Sequence, residues 1–409
     1  MGDFAESLEG FTQAIHLSPG YAMARFNQAC AHARLGHDDE AEALLMHLFE
    51  EDLPTFAYRF TEDEDLATLR DGAHGVRLRA HIETLLPRMQ AAWSRGALAY
   101  VHAPYPTEPG ARSVLGLTMG VIDPVTNRFI PIAPHANDAL GMQIDREANV
   151  AFVLHGRVRQ GTFWSAYFVP EEVDVFDLSR PFERLLNVSL MALITGTHEL
   201  PSITVQATRA HVDVSLDHID LAPRDEASTR FRITPQAREP LSEPLSPSEG
   251  TLWVRSDQGM IERTAPPPSA GLRFERGMLI ADARGSRPEV RVSLGERHRE
   301  PRLLLSPEGT RAFVRSETVR CSDALVGTVY RSAFDLVELS TGNVTHIETG
   351  ADDMLFEGRF AADGTFYFQA GESVRRYAPA SSEGVSDVPA NLVLTTPHMA
   401  WKVPLNCEI

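Results

Sequence analysis

Near Leu98 the hydrophobic pattern of this chain changes period, and that change decides what the chain can fold into. Ahead of it, apolar residues recur at helical spacing; beyond it they alternate and turn residues multiply. A chain patterned this way calls for a helical head followed by an all-β part, a multidomain α+β arrangement. The boundaries read as residues 1–53 for a helical repeat, 54–97 for linking and capping helices, and 98–409 for the β-domain.

Within the head, residues 2–19 and 36–53 read as one helical pattern met twice at an offset of 34. Gly2, Ser7, Phe11, Ala14 and Pro19 fall opposite Gly36, Ala41, Leu45, Leu48 and Leu53. Residues 22–36 predict the intervening helix. Residues 38–51 predict the next one, capped by Asp38 or Asp39, with Ala41, Leu44, Leu45 and Leu48 as its apolar stripe. The period, with the pairs Phe26-Asn27, Leu35-Gly36 and Glu40-Ala41, resembles the tetratricopeptide (TPR) repeat.

That resemblance implies an interaction scaffold in which the first helix of each hairpin lines a concave face. It makes Asn27 and Arg34 candidates for gripping a partner. The segment carrying Leu8, Phe11 and Ile15 then corresponds to the second helix of a hairpin whose first helix is missing, so Phe11 is expected on a docking surface. Further on, the acidic run Glu62-Asp63-Glu64-Asp65 precedes Arg70, Arg77 and Arg79, charges expected to stitch neighbouring turns. Leu78, Ile82, Leu85 and Leu86 form an apolar stripe shortly before Pro87. These segments are expected to cap the repeat and dock it to the β-domain.

Two hairpin patterns recur beyond Leu98. One is a strand, an acidic turn and a strand, at residues 121–130, 173–179 and 335–344, the last containing Leu339-Ser340-Thr341-Gly342. The other runs through Ser306-Pro307-Glu308-Gly309, with relatives at residues 358–368 and 141–152. Together they resemble the blades of WD40-like or TolB-like β-propellers, which implies six or seven blades over roughly 300 residues. The Trp-Asp dipeptide is absent, and residues 230–269, rich in proline and serine, resist division into strands. A propeller often closes its ring by pairing the two chain ends, so the tail from residue 391 is expected beside the strand near Leu98. A β-sandwich or solenoid is the alternative.

Several chemistries are excluded by composition. Lys402 is the only lysine among 38 basic residues, which leaves no Gly-Lys phosphate loop and a poor Schiff-base candidate. The net charge of -18 argues against nucleic-acid binding. Cys30, Cys321 and Cys407 match neither a disulfide framework nor a zinc pattern, and no apolar run of membrane-spanning length occurs, so a cytoplasmic setting is expected. No Gly-x-Ser-x-Gly elbow or His-Glu-x-x-His motif is present. His211, Asp213 and His218 are the candidate metal ligands, a set that suits zinc or manganese, while the alternating Val212 and Val214 fit an ordinary strand equally well. His102, His155 and His398 sit among apolar neighbours and read as core residues; His135, Asn137 and Asp138 read as a turn.

Nothing in the sequence demands a cofactor. The leading expectation is a non-catalytic scaffold or regulatory subunit with protein partners. Bacterial chains of this composite type accompany signalling or defence enzymes, including caspase-like peptidases, so the resemblance implies such a partner. A metal-assisted hydrolase or lyase with its site in the propeller channel is the alternative.

Overall fold

The computed structural model of the chain describes residues 4–103, 116–136, 138–160, 166–191, 202–217, 230–243, 245, 251–257, 260–263, 271–283, 288–295, 299–323, 327–347, 358–370, 373–377, 385–388 and 392–393. Six helices come first: α1 (Phe4–Leu17), α2 (Ala22–Leu35), α3 (Asp38–Glu51), α4 (Leu53–Glu62), α5 (Ala67–Asp71) and α6 (Ala73–Arg95). A single 3-10 turn, Glu64–Leu66, precedes α5.

The ends of these helices follow local chemistry. Gly36 takes the left-handed conformation (φ 77°) that ends α2, and the N–H groups of Gly36 and His37 bond the carbonyls of Ala33 and His32. The cap of α3 differs from expectation: His37 occupies the cap position without a side-chain bond, and Asp38 and Asp39 lie inside the first turn. There they still face the positive end of the helix dipole. Asp52 caps α4 by accepting from the Thr55 N–H at 3.1 Å, with Pro54 in the first turn.

The longest helix, α6, continues past Pro87. A proline there forfeits one hydrogen bond, but Met89, Ala92 and Trp93 beyond it are all buried and hold the helix on the sheets. The basic residues of this region also pair differently from the stitching expected. Arg70 donates to the carbonyls of Phe60 and Asp63, and Arg77 makes a two-pronged contact (2.7 and 2.5 Å) with the buried Glu42 of α3.

Strands follow, all paired antiparallel. The first sheet contains β1 (Ala97–Ala103), β2 (Gly116–Asp123) and β3 (Arg128–Pro131); the second, β4 (Ala139–Asp145), β5 (Val150–Gln160), β6 (Ala166–Asp177) and β7 (Arg180–Ser189). The third holds β8 (Ser202–Ala207), β9 (Val212–Asp217), β10 (Arg230–Ile233), β11 (Arg238–Pro240), β12 (Leu252–Asp257) and β13 (Met260–Arg263). The fourth has β14 (Leu272–Glu275), β15 (Met278–Ala281) and β16 (Val290–Ser293). The fifth has β17 (Arg299–Leu305), β18 (Arg311–Asp323), β19 (Gly327–Glu338) and β20 (Val344–Ile347). The sixth has β21 (Gly358–Phe360), β22 (Phe366–Ala370), β23 (Ser373–Tyr377) and β24 (Val385–Asp387). A last strand, β25 (Leu392–Val393), returns to β1, with Val393 opposite Tyr100 and Leu392 opposite Val101. The expected pairing of the tail with the first strand is therefore present.

All six hairpins read from the sequence are formed, and each pattern holds one structural place. The Ser-Pro-Glu-Gly type joins the first and second strands of the second, fifth and sixth sheets. The acidic-turn type joins the last two strands of the first, second and fifth. The proline-rich stretch that resisted division carries β10 to β13, and β12 pairs with β8, so the third sheet grows to six strands.

Alternation sets which layers touch. In β5, Val150, Phe152 and Leu154 face the third sheet, whereas Ala151 and Val153 join the helical head in one apolar cluster. Further clusters join the first sheet to the sixth, the fourth to the fifth, and the fifth to the sixth. The head is anchored at both ends of this contact. Trp93 Nε1 donates to the Pro131 carbonyl at 2.8 Å, and Arg95 grips the buried Asp123 at 2.6 and 2.9 Å.

Two stability outcomes follow from this arrangement. Removal of residues 390–409 deletes β25 and is expected to lower the melting temperature of the whole protein; a truncated chain that melts unchanged contradicts a structural role for the tail. Trp93→Phe keeps the ring but strips the donor from a buried carbonyl. It should cost about 1–3 kcal/mol in denaturant unfolding.

Candidate functional site

The face of the second sheet that looks toward the helices carries a group of ionisable side chains. Residues directly opposite on neighbouring strands share a face. His155 lies opposite Glu172, Val153 opposite Asp174, and Asp174 opposite Asn187. The apolar run of this face, Ala151, Val153 and Phe176, thus gives way at its end to a polar cluster. A bulge follows directly: His155 pairs with Glu172 but Gly156 with Pro170, which leaves Glu171 extra. Only glycine fits at 156, since a Cβ there would lie 2.3 Å from the Val169 carbonyl oxygen.

Asp138, just before β4, accepts from His155 Nδ1 at 2.7 Å. On the other side of the ring, Nε2 lies 3.4 Å from Asp174 Oδ2. Asn187 Nδ2 donates to Asp174 Oδ1 (2.8 Å) and to Glu172 Oε2 (3.1 Å). Burial disfavours the charged imidazole, but the hydrogen bond to Asp138 and the nearby carboxylate charges of Asp138 and Asp174 outweigh it, so the ring is pushed up to about 9. Burial likewise opposes the Asp174 carboxylate. His155, Asn187 and Arg184 still hold it below the usual range.

The cluster meets the head through α4. Arg184 Nη1 reaches Asp174 Oδ1 at 3.5 Å while its guanidinium lies 5.9 Å from the Tyr58 ring centroid, and Tyr58 packs edge-on against Phe176. Beside it is a cleft of about 230 Å³ lined by Thr55, Tyr58, Arg59, Glu62, Asp63, Pro134 and His135. Thr55 Oγ1 accepts the His135 N–H at 2.8 Å, and His135 Nδ1 lies 2.7 Å from Thr118 Oγ1.

The residues singled out from sequence lie elsewhere. Phe11 is half-buried on α1, which packs against α2, where Gln28 Nε2 donates to Thr12 Oγ1. On α2, Asn27 is half-buried and Arg34 is exposed; Arg34 lies 3.7 Å from Asp65 and 5.2 Å over the Phe4 ring. On β9, Asp213 receives Arg232 on both oxygens at 2.8 Å, and His211 Nε2 is 3.7 Å from Asp213 Oδ2. His218, Asn137 and His398 fall outside the described residues. His155, read as a core histidine among apolar neighbours, is instead clasped by two carboxylates. The available signal was the alternation of Glu172 and Asp174 with Val173 and Val175, which puts both acids on one face.

Chemically the cluster favours holding charge over turning over substrate. A ring charged at neutral pH is a poor general base. The buried Cys30 thiol, pushed up by burial to about 12, is no nucleophile either. Among the described residues no helix is long and apolar enough to cross a membrane.

No protein-family model matches this sequence, and no curated protein matches it. Among solved structures, TolB from Acinetobacter baumannii is similar over 79% of this chain and 71% of its own, at 12% identity and TM-score 0.27. A GH74 enzyme of Niastella koreensis matches over 72% of this chain and 46% of its own (10% identity, TM-score 0.24). A puromycin hydrolase S511A mutant complexed with PGG matches over 70% and 52% (11% identity, TM-score 0.21). None of the three carries weight for the activity of this chain.

The charged ring makes stability depend on pH with a defined sign. His155 binds its proton more tightly folded than unfolded, so its contribution is complete below about pH 6.5 and is lost as pH rises through about 9. The expected loss is up to ~3 kcal/mol. Denaturant unfolding between pH 6 and 9.5, in chelator-containing buffer so that only the proton competes for the ring, should show this slope. H155Q should lack it.

Proposed function

We propose that this chain is a non-catalytic adaptor, a TPR-like head fixed on a β-propeller, that recruits a protein partner through its first helix. One observation carries the reading. Every other helix of the head buries at least one side chain, whereas α1 buries none. Phe4, Leu8, Phe11, Ala14 and Ile15 form its inner stripe and are only half-covered by α2. A helix–turn–helix repeat stacks its hydrophobic face on neighbours on both sides. A helix from a partner would complete the coverage at α1, with Asn27 and Arg34 on α2 nearby for polar contact.

Support for the propeller comes from the recurrence of two turn types at fixed strand positions, and from apolar clusters that link first to second, second to third, fourth to fifth, fifth to sixth and sixth to first sheets. That order of neighbours suits blades around an axis, with β25 joining the chain end to the first blade. A propeller and a helical layer locked together present fixed surfaces and suit a regulatory subunit of a signalling or defence enzyme.

The reading is tested by recovering the tagged full-length protein from its own cells after mild cross-linking. A protein partner in near-equal amount is expected with the wild type and lost with Phe11→Asp, whose circular dichroism should be unchanged. Recovery of the chain alone, or a complex indifferent to Phe11→Asp, overturns it.

A further inference from the structure

The geometry points to a divalent-cation site formed by His155, Glu172 and Asp174, with zinc or manganese as the fitting class. Ligand atoms of these three residues lie within 4.8 Å of one another on one face of the second sheet. His155 Nε2 is buried without a hydrogen-bond partner, although it sits 3.4 Å from Asp174 Oδ2. That separation is what two ligands of a tetrahedral zinc require, since bonds of about 2.1 Å at the tetrahedral angle place them about 3.4 Å apart. An orphaned ring nitrogen held at ligand spacing from a carboxylate oxygen fits a cation between them better than a direct bond.

The surroundings complete the pattern of a ligating histidine. Asp138 takes the opposite ring nitrogen, the carboxylate–imidazole arrangement that fixes the tautomer and leaves Nε2 to the metal. Asn187 donates to one oxygen of each acid, Asp174 Oδ1 and Glu172 Oε2, and so orients both while leaving Asp174 Oδ2 turned to the ring. One imidazole with two carboxylates is a borderline donor set, harder than a thiolate site and softer than an all-oxygen one. Arg184 is the adverse charge. It touches Asp174 only on Oδ1, at 3.5 Å, and its guanidinium lies against Tyr58. On binding, the hydrated cation replaces the proton on Nε2 and exchanges water ligands for the ring nitrogen and the two carboxylates; the proton and the waters leave to solvent, and no covalent bond of the chain changes.

This site is distinct from the docking helix of the proposed adaptor and stands or falls apart from it. The test is titration of the chelator-stripped full-length protein with zinc chloride and, separately, manganese chloride, followed by calorimetry and by metal analysis after gel filtration. One ion per chain is expected. Glu172→Gln and Asp174→Asn should weaken binding by roughly tenfold to hundredfold, and so should Asp138→Asn, which never touches the ion. Because Glu172 is the less buried acid, E172Q with unchanged circular dichroism and melting keeps the comparison independent of folding. One-to-one binding of neither ion, or affinity unchanged in E172Q and D174N, overturns the assignment.

Discussion

The helices and the first two sheets share one apolar core, and the placement of everything else depends on that sharing. Phe26, Phe49, Phe56 and Phe60 from the head are continuous with Tyr100, Met119 and Val121 of the first sheet and with Met142, Val153 and Phe176 of the second. The fraction of surface a domain buries rises with its size, so a helical layer gains by sharing its core. Here it borrows one face of each sheet, and the sheets in turn gain a cover for strands that would otherwise meet water. Arg95 on Asp123, Trp93 on Pro131 and Thr55 on His135 then fix the angle of docking, because each is a directional bond at the rim of a non-directional contact.

Local signals were the legible part. The shift in period near Leu98 marks the start of β1 at Ala97, and every short hairpin with an acidic or Ser-Pro-Glu-Gly turn forms where its turn residues place it. Such turns depend on a few adjacent residues, so their chemistry is written contiguously. The cap of α3 was not legible, whereas α6 runs on through Pro87 as the helical reading of residues 54–97 requires, because tertiary burial of Met89, Ala92 and Trp93 outweighs a local breaker. The six-stranded third sheet was hidden for a related reason: β12 finds β8 across 45 residues, from Gln206 to Thr251, a pairing no local pattern announces.

The candidate site was illegible in a different way. Asp138, His155, Glu172, Asp174 and Asn187 come from four separate segments, and only strand register brings them onto one face. His155 looked apolar in sequence because Val153 and Leu154 precede it. Its direct neighbours in the chain, however, point away from it in a strand, and its true neighbours are the residues opposite. Regular pairing from Val150 to His155 decides the matter, since a one-residue slip would carry His155 to the other face, among Phe152, Leu154 and Val173.

That face also bears on why the cluster is there at all. At Val153 and Phe176 it is filled by ordinary apolar side chains that bury well against Tyr58 and its neighbours. Two to four residues along the same strands it carries a ring and two acids, all partly or fully withdrawn from water, and a buried charge group is seldom more stable than an apolar replacement of equal volume. A local breach of the burial pattern, followed by a glycine-dependent bulge and held by an asparagine that serves two carboxylates, is how a protein holds a ligand site at the expense of packing. The same residues do not close into a hydrogen-bonded network, because His155 Nε2 faces Asp174 at 3.4 Å without a hydrogen bond. A cation at that point removes the conflict by joining the orphaned nitrogen to both acids.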